Sequence, residues 1–323
     1  MRKAQLIVVA SIVSLFVSAC AGTSPSDGRA HGEHAEEGPG ELHRFTSSAE
    51  GFHTHTYYYD TGKEVVVFDA QFTRSAARAV IEDIRERTDS PITHLVITHA
   101  NPDKFNGANV FRELGAEVIA SRQTVEAMPG VHAYKKHYFV EVAGTFTAQT
   151  YPELPQVDVT FSGQKTLQLS SGHEVLLRHI DRSAVAPTHT VAHIPSLDAL
   201  VVGDLIHHGV HAWLEGPIVD GRPRPDLRAW KSALEELDRF EGVVVYGGRG
   251  ESAPLEEAVA AQMHYLTEVE QIVREHLQGH EGTPDEQTNA AVAGQVIDAF
   301  PQYDHNYMVE YSIYGLTNHY ARD

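Results

Sequence analysis

The chain has 323 residues, 42% of them hydrophobic, enough for one sizeable core of about 200–250 residues with extras. Its formal charge of −19 repels nucleic acid and anionic lipid headgroups, so neither is expected as a partner. Cys20 is the one cysteine, which excludes an internal disulfide. The 21 histidines scattered along the chain raise the expectation of metal or proton chemistry.

Met1-Arg2-Lys3 is a basic start, residues 4–17 are largely apolar, and Val17-Ser18-Ala19-Cys20 closes the stretch with small residues. The run is too short for a good membrane span and reads as a signal peptide over residues 1–19. Val-Ser-Ala-Cys resembles the bacterial lipobox, which implies a lipidated Cys20, export and a membrane anchor. Ala21 and Gly22 lack the aspartate that often retains lipoproteins on the inner membrane, so the periplasmic face of the outer membrane is expected. An ordinary signal peptide cut near Ala21 is the alternative. Residues 20–40 are small, polar and breaker-rich and read as a flexible tether. The folded domain is expected from residue 41.

Tyr57-Tyr58-Tyr59 and residues 64–69 (EVVVFD) have strand composition, joined by the hairpin turn Asp60-Thr61-Gly62-Lys63. Residues 73–87 carry helical spacing, with Ala76, Ala79, Ile81 and Ile84 on one face. Residues 93–98 predict an apolar strand that ends at His99. After a polar loop, residues 106–114 predict a helix with Val110, Phe111 and Leu114 inward and Gly115 as C-cap. Residues 116–120 predict the next strand. The loop of this β-α-β unit follows a strand's carboxyl end, where α/β proteins place their sites. Residues 128–170 predict loops and strands, among them 157–161. Further strands are expected at 174–180, 199–202 and 242–246, with a helix over 227–237 carrying Trp230. A long helix over 254–278 presents Val259, Met263, Leu266, Val269 and Val273, and a last helix opens at the capping box Thr283-Pro284-Asp285-Glu286.

Four stretches carry the chemistry: Thr98-His99-Ala100-Asn101-Pro102-Asp103-Lys104, Pro187-Thr188-His189-Thr190, Gly203-Asp204-Leu205 and Gly247-Gly248-Arg249-Gly250. In order, spacing and strand-end placement they resemble the metallo-β-lactamase superfamily, over roughly residues 43–255. The resemblance implies an α/β fold, a four-layer αββα sandwich over residues 41–255, with extra C-terminal helices over 256–323. It also implies two metals at one edge of the sheets. The family's first motif reads His-x-His-x-Asp-His. His99 and Asp103 match it, but Asn101 and Lys104 stand where the second and third histidines belong. His189 matches the next ligand, Asp204 the carboxylate that bridges both metals, and Arg249 takes the place of the last histidine.

Those substitutions matter chemically. A dication about 4 Å from one positive charge is opposed by roughly 8 kcal/mol at an effective dielectric near 20. Lys104 and Arg249 would instead supply the positive charge that balances Asp103 and Asp204, so a second metal is expected to be absent. His99, His189 and Asp204, with Asn101 as a weak fourth contact, form a set able to hold one divalent ion, zinc first. The alternative is that the histidines hydrogen-bond Asp204 with no metal. Asp103 is the candidate general base, and Lys104 and Arg249 the candidate oxyanion or anion contacts. Trp213 and His208 are pocket candidates. His207, His208 and His211 read as a solvent-facing loop, His193 as a core residue or a support behind His189, and His53 and His55 as non-ligands.

Two functions follow. One is a hydrolase with at most one metal, acting on a small ester, amide, thioester or lactone. The other is a non-catalytic pseudoenzyme that binds an anionic ligand or partner through Lys104 and Arg249. β-Lactamase activity specifically is not implied, because function lives in sites grafted onto folds.

Overall fold

In the computed structural model, which describes residues 38–322, Tyr57 and Tyr59 face one way along their strand and Tyr58 the other. That alternation builds the layers. The expected signal segment, Cys20 and the expected tether up to residue 37 lie outside the described residues.

The first sheet runs in chain order through β1 (Glu41–Thr46), β2 (His55–Asp60), β3 (Val65–Phe68), β4 (Ile92–Val96), β5 (Glu117–Ser121) and β6 (Val159–Phe161). Its first two pairings are antiparallel and the other three parallel. The remaining strands are β7 (Gln164–Gln168), β8 (Glu174–Ile180), β9 (His189–Ile194), β10 (Ala199–His208), β11 (Ile218–Val219), β12 (Arg222–Pro223), β13 (Val244–Gly250) and β14 (Ala253–Pro254). β11 and β12 pair only with each other; the rest form a second sheet ordered β14-β13-β10-β9-β8-β7.

Between the sheets lie Tyr57, Tyr59, Phe68, Val96, Leu177, Ala192 and Val201. The outer face of the first sheet is covered by α1 (Arg74–Arg87), α2 (Pro102–Phe105), α3 (Ala108–Glu113) and α4 (Arg122–His137) through Ala77, Phe105, Phe111 and Met128. The outer face of the second sheet is covered by α5 (Leu227–Glu235), α6 (Leu255–His276), α7 (Glu286–Ala299), α8 (Asn306–Ser312) and α9 (Tyr314–Tyr320). Trp230, Leu266, Val296, Val309 and Leu316 are their anchors. The architecture is the αββα sandwich expected from the sequence, with extra helices at the C-terminal end. Among the described residues no helix is long and apolar enough to cross a membrane.

Several local expectations need correction. α1 buries Ala77, Val80 and Ile84 rather than the face through Ala76, Ala79 and Ile81. Leu114 is 53% exposed, because the chain leaves α3 there and turns at Gly115, φ 93°. α4 runs through a region expected to be loop and strand. Pro129 and Gly130 argue against a helix locally, yet Ser121 caps the N-terminus and Thr124, Met128 and Val131 are buried. β9 forms where the sequence predicts no strand, and β10 continues past Gly203 to His208. α7 is capped by Asp285, which accepts from Thr288 N, and Thr283 lies outside the cap. Two further helices follow the one expected to be last.

Candidate functional site

The two sheets meet at a seam. Thr190 N donates to Thr98 O at 2.6 Å, and His99 and His189 form an isolated antiparallel bridge, so the end of β4 is pinned to the start of β9. Asp69, at the end of β3 with φ 69°, accepts from Thr98 N at 2.8 Å and from Thr98 Oγ1 at 2.9 Å. The loop after β4 then enters α2, where Pro102 occupies the first turn and Asp103 and Lys104 are turned inward. Gly203, φ 54°, lets β10 pass against Thr98 and His99; a Cβ there would lie 2.5 Å from Thr98 Oγ1. At Gly248 a Cβ would lie 1.9 Å from Asp204 Oδ1. The Gly-Arg pair at the end of β13 therefore lets the backbone run beside the Asp204 carboxylate.

These segments assemble a closed ring of four ion pairs. Lys104 Nζ lies 3.0 Å from Asp103 Oδ2 and 2.9 Å from Asp204 Oδ1. Arg249 lies 3.0 Å from Asp103 Oδ2 and 2.8 Å from Asp204 Oδ2. The lysine contacts are off the hydrogen-bond angle and act as ion pairs, whereas those of Arg249 are directional. Arg249 also donates through Nε to Phe52 O at 2.8 Å and through Nη2 to Thr54 Oγ1 at 2.9 Å. The Lys104 side chain is 0% exposed, Asp204 2%, Arg249 4% and Asp103 11%.

Burial opposes charge on each member, and the partners outweigh it. Asp103 is held down to about 2 by Lys104 and Arg249 against the desolvation that would raise it. Asp204 is held well below the usual carboxylate range by the same two cations. Burial would lower Lys104 and Arg249, but the two aspartates raise both. His99 is pushed down to about 4 by burial, against the pull of Asp204, and burial also lowers His189. Both histidines are therefore neutral near neutral pH.

The expected site residues His99, Asp103, Lys104, His189, Asp204 and Arg249 thus gather at one seam, while their expected roles divide. Asp103 is a poor general base, since a carboxylate so strongly paired has little proton affinity near neutral pH. Lys104 does not line the cleft and cannot contact a bound anion there. The residues do not fit a metal pair, because both carboxylates already serve two permanent cations. Among the described residues, no three His, Cys, Asp or Glu side chains form a group that could hold an ion.

Above the ring opens a small cleft of about 50 Å³ that is continuous with solvent. Asn101, Asp103, Asp204 and Arg249 form its polar part, Phe52, Phe72 and Phe139 its aromatic wall, and Trp213, Met308 and Lys135 line it as well. Trp213 is thus one of the residues lining the cleft. His208 is not: it lies 3.7 Å from Glu257. His207 and His211 are buried rather than solvent-facing, His207 on β10 and His211 against Tyr265. His193 packs edge-on against Phe240. His55 donates to or accepts from the Tyr57 hydroxyl, and His53 stacks on His305. Sequence reasoning missed Phe52, Thr54 and Lys135; the first two precede the recognised motifs, and Lys135 lies in the stretch read as loop.

Comparison with known proteins agrees with this fold. The family model described as the metallo-beta-lactamase superfamily matches residues 49–249. A metallo-beta-lactamase from Pontibacter korlensis has a TM-score of 0.52 at 18% identity, covering 70% of this chain and 94% of that one. TMB-1, whose structure was described for substrate and inhibitor binding, has a TM-score of 0.50 at 16% identity, covering 70% and 92%. At such identities the likeness to solved structures is one of fold. The family match, however, spans more than half of the sequence and reaches from Ala49 to Arg249: the chain belongs to the metallo-β-lactamase superfamily.

Proposed function

We propose that this protein is a metal-independent, ligand-binding member of its superfamily, exported as a lipoprotein and anchored through Cys20 on the periplasmic face of the outer membrane. One observation carries the binding reading: the closed ring Lys104–Asp103–Arg249–Asp204, in which two side-chain cations match two carboxylates. Opening the ring to admit a dication would strand buried charges, at a cost of about 3–5 kcal/mol for each broken pair. The ring is neutral as a whole, so clasping an anion through Lys104 and Arg249 is not what its geometry favours. A small molecule held against the aromatic wall suits the cleft better.

A second reading has His99, His189 and Asp204, which do not converge as a ligand group in this structure, turn together to hold one divalent ion, zinc first, with weak hydrolysis of a small ester, amide, thioester or lactone. It is favoured by His99 Nε2, which is buried without a hydrogen-bond partner 3.7 Å from Asp204 Oδ2. Metal content per chain, measured on untagged protein starting after Cys20, separates the two when combined with a hydrolase screen of wild type and Asp204→Ala. Far less than one ion per chain and no turnover supports the binding reading. One tightly held ion, lost together with turnover in Asp204→Ala, overturns it.

A further inference from the structure

The cleft has a second polar feature outside the ring. Glu215, with a side chain 2% exposed, accepts from Trp213 Nε1 at 3.0 Å and Tyr134 OH at 3.2 Å, and contacts Lys135 Nζ and Tyr314 OH more closely still. Lys135 Nζ in turn sits 5.0 Å from the centre of the Trp213 ring. Lys135 and Trp213 line the cleft, whereas Glu215 lies behind them. An ammonium has three N–H donors, and Glu215 takes one, so Lys135 is held in place with donors to spare. On the ring, the contacts that Asp103 receives from Thr54, Arg249 and Lys104 all go to Oδ2, which leaves Oδ1 as an acceptor at the cleft.

We propose that Lys135, positioned by Glu215, recognises the carbonyl oxygen of an uncharged aromatic ligand whose ring lies against Phe52, Phe72 and Phe139. The proposal rests on the ligand-binding reading above and adds the ligand's class. The body is aromatic because phenylalanine and tryptophan side chains dominate the apolar lining. It is uncharged because the cations that line the cleft already have their carboxylates, Arg249 in the ring with Asp103 and Asp204 and Lys135 on Glu215, and a net charge of −19 adds no attraction for an organic anion. A hydroxyl or amine on the ligand would be met by Asp103 Oδ1.

Toluene, benzamide and benzoate test this, read by quenching of Trp213 fluorescence. The chain has two tryptophans, and the other, Trp230, is 1% exposed; Trp213→Phe identifies the responding ring. Benzamide should bind with a roughly millimolar constant, more tightly than toluene or benzoate. Lys135→Gln should weaken benzamide about tenfold and leave toluene unchanged, which a merely structural role for Lys135 would not do. Glu215→Gln should give the same selective loss. Equal benzamide affinity in wild type and Lys135→Gln overturns the proposal while the ligand-binding reading stands. Benzoate binding tenfold more tightly than benzamide overturns the uncharged class. No quenching by any of the three overturns the ligand-binding reading itself. Should Lys135→Gln fail to fold, Lys135→Arg keeps the pair with Glu215 but moves the donors, and unchanged benzamide affinity there is equally fatal.

Discussion

Replacing Lys104 by methionine removes one corner of the charge ring at nearly constant volume. Each of the four contacts, at 2.8–3.0 Å, carries roughly 6 kcal/mol of attraction at an effective dielectric near 20, set against several kcal/mol of desolvation per ion. With Lys104 gone, Asp103 and Asp204 share only Arg249, and one negative charge stays buried without a partner. The expected cost is about 3–5 kcal/mol, which in a domain of this size lowers the melting temperature by roughly 10 °C. Thermal and urea unfolding followed by circular dichroism measure it directly. The double variant Lys104→Met/Asp103→Asn, which removes both charges of a pair, should cost less than the sum of its singles. Should Lys104→Met melt within about 2 °C of wild type, or the two singles add up, the lysine is not the counter-charge and the reasoning about the metal position fails.

Three further outcomes are expected. Gly248→Ala, whose Cβ would meet Asp204 Oδ1 at 1.9 Å and Lys104 Nζ at 2.8 Å, should lose about 3 kcal/mol, while Gly130→Ala, in the open on α4, should gain up to ~1 kcal/mol in the same urea titration; the reverse order would show that the seam is loosely packed. The triple variant Asn101→His/Lys104→His/Arg249→His should bind zinc in calorimetric titration where wild type does not take up a second ion, and a triple variant that stays inert would place the obstacle in backbone geometry rather than charge. His211 is held down to about 4 by burial, against about 6.5 in the unfolded chain. The stability this neutral ring contributes is complete above about pH 6.5 and is lost as pH falls through about 4. His211→Asn should flatten that part of the pH–stability curve, though not abolish it, since His55 and His207 are each held down to about 3; an unchanged slope refutes the assignment.

Much of the layer order was legible because the strands are short, apolar runs bounded by turn residues. EVVVFD and the strand before His99 could hardly be anything else. The ring was legible in kind, since two cations and two carboxylates at motif positions suggest pairing whatever the local conformation. What stayed hidden depended on tertiary packing. α4 survives Pro129 and Gly130 because Met128 and Val131 find a sheet to cover, and local propensity carries no sign of that. The histidines after Asp204 read as solvent-facing because they are polar. β10 continues through His207 and His208, and α6 covers the strand; Gln262 Oε1 even accepts from His207 N at 2.8 Å. Lys135 and Glu215 are 80 positions apart, a separation at which no sequence pattern announces a contact.

The pinning of β4 to β9 at Thr98 and Thr190 has a consequence for how such a protein weathers scarcity. Asp103 and Lys104 come from one half of the sandwich, Asp204 and Arg249 from the other, so the halves are riveted by groups the chain itself encodes. A bound ion can be stripped by a chelator or withheld by a starved environment. A lysine and an arginine arrive with every copy the ribosome makes.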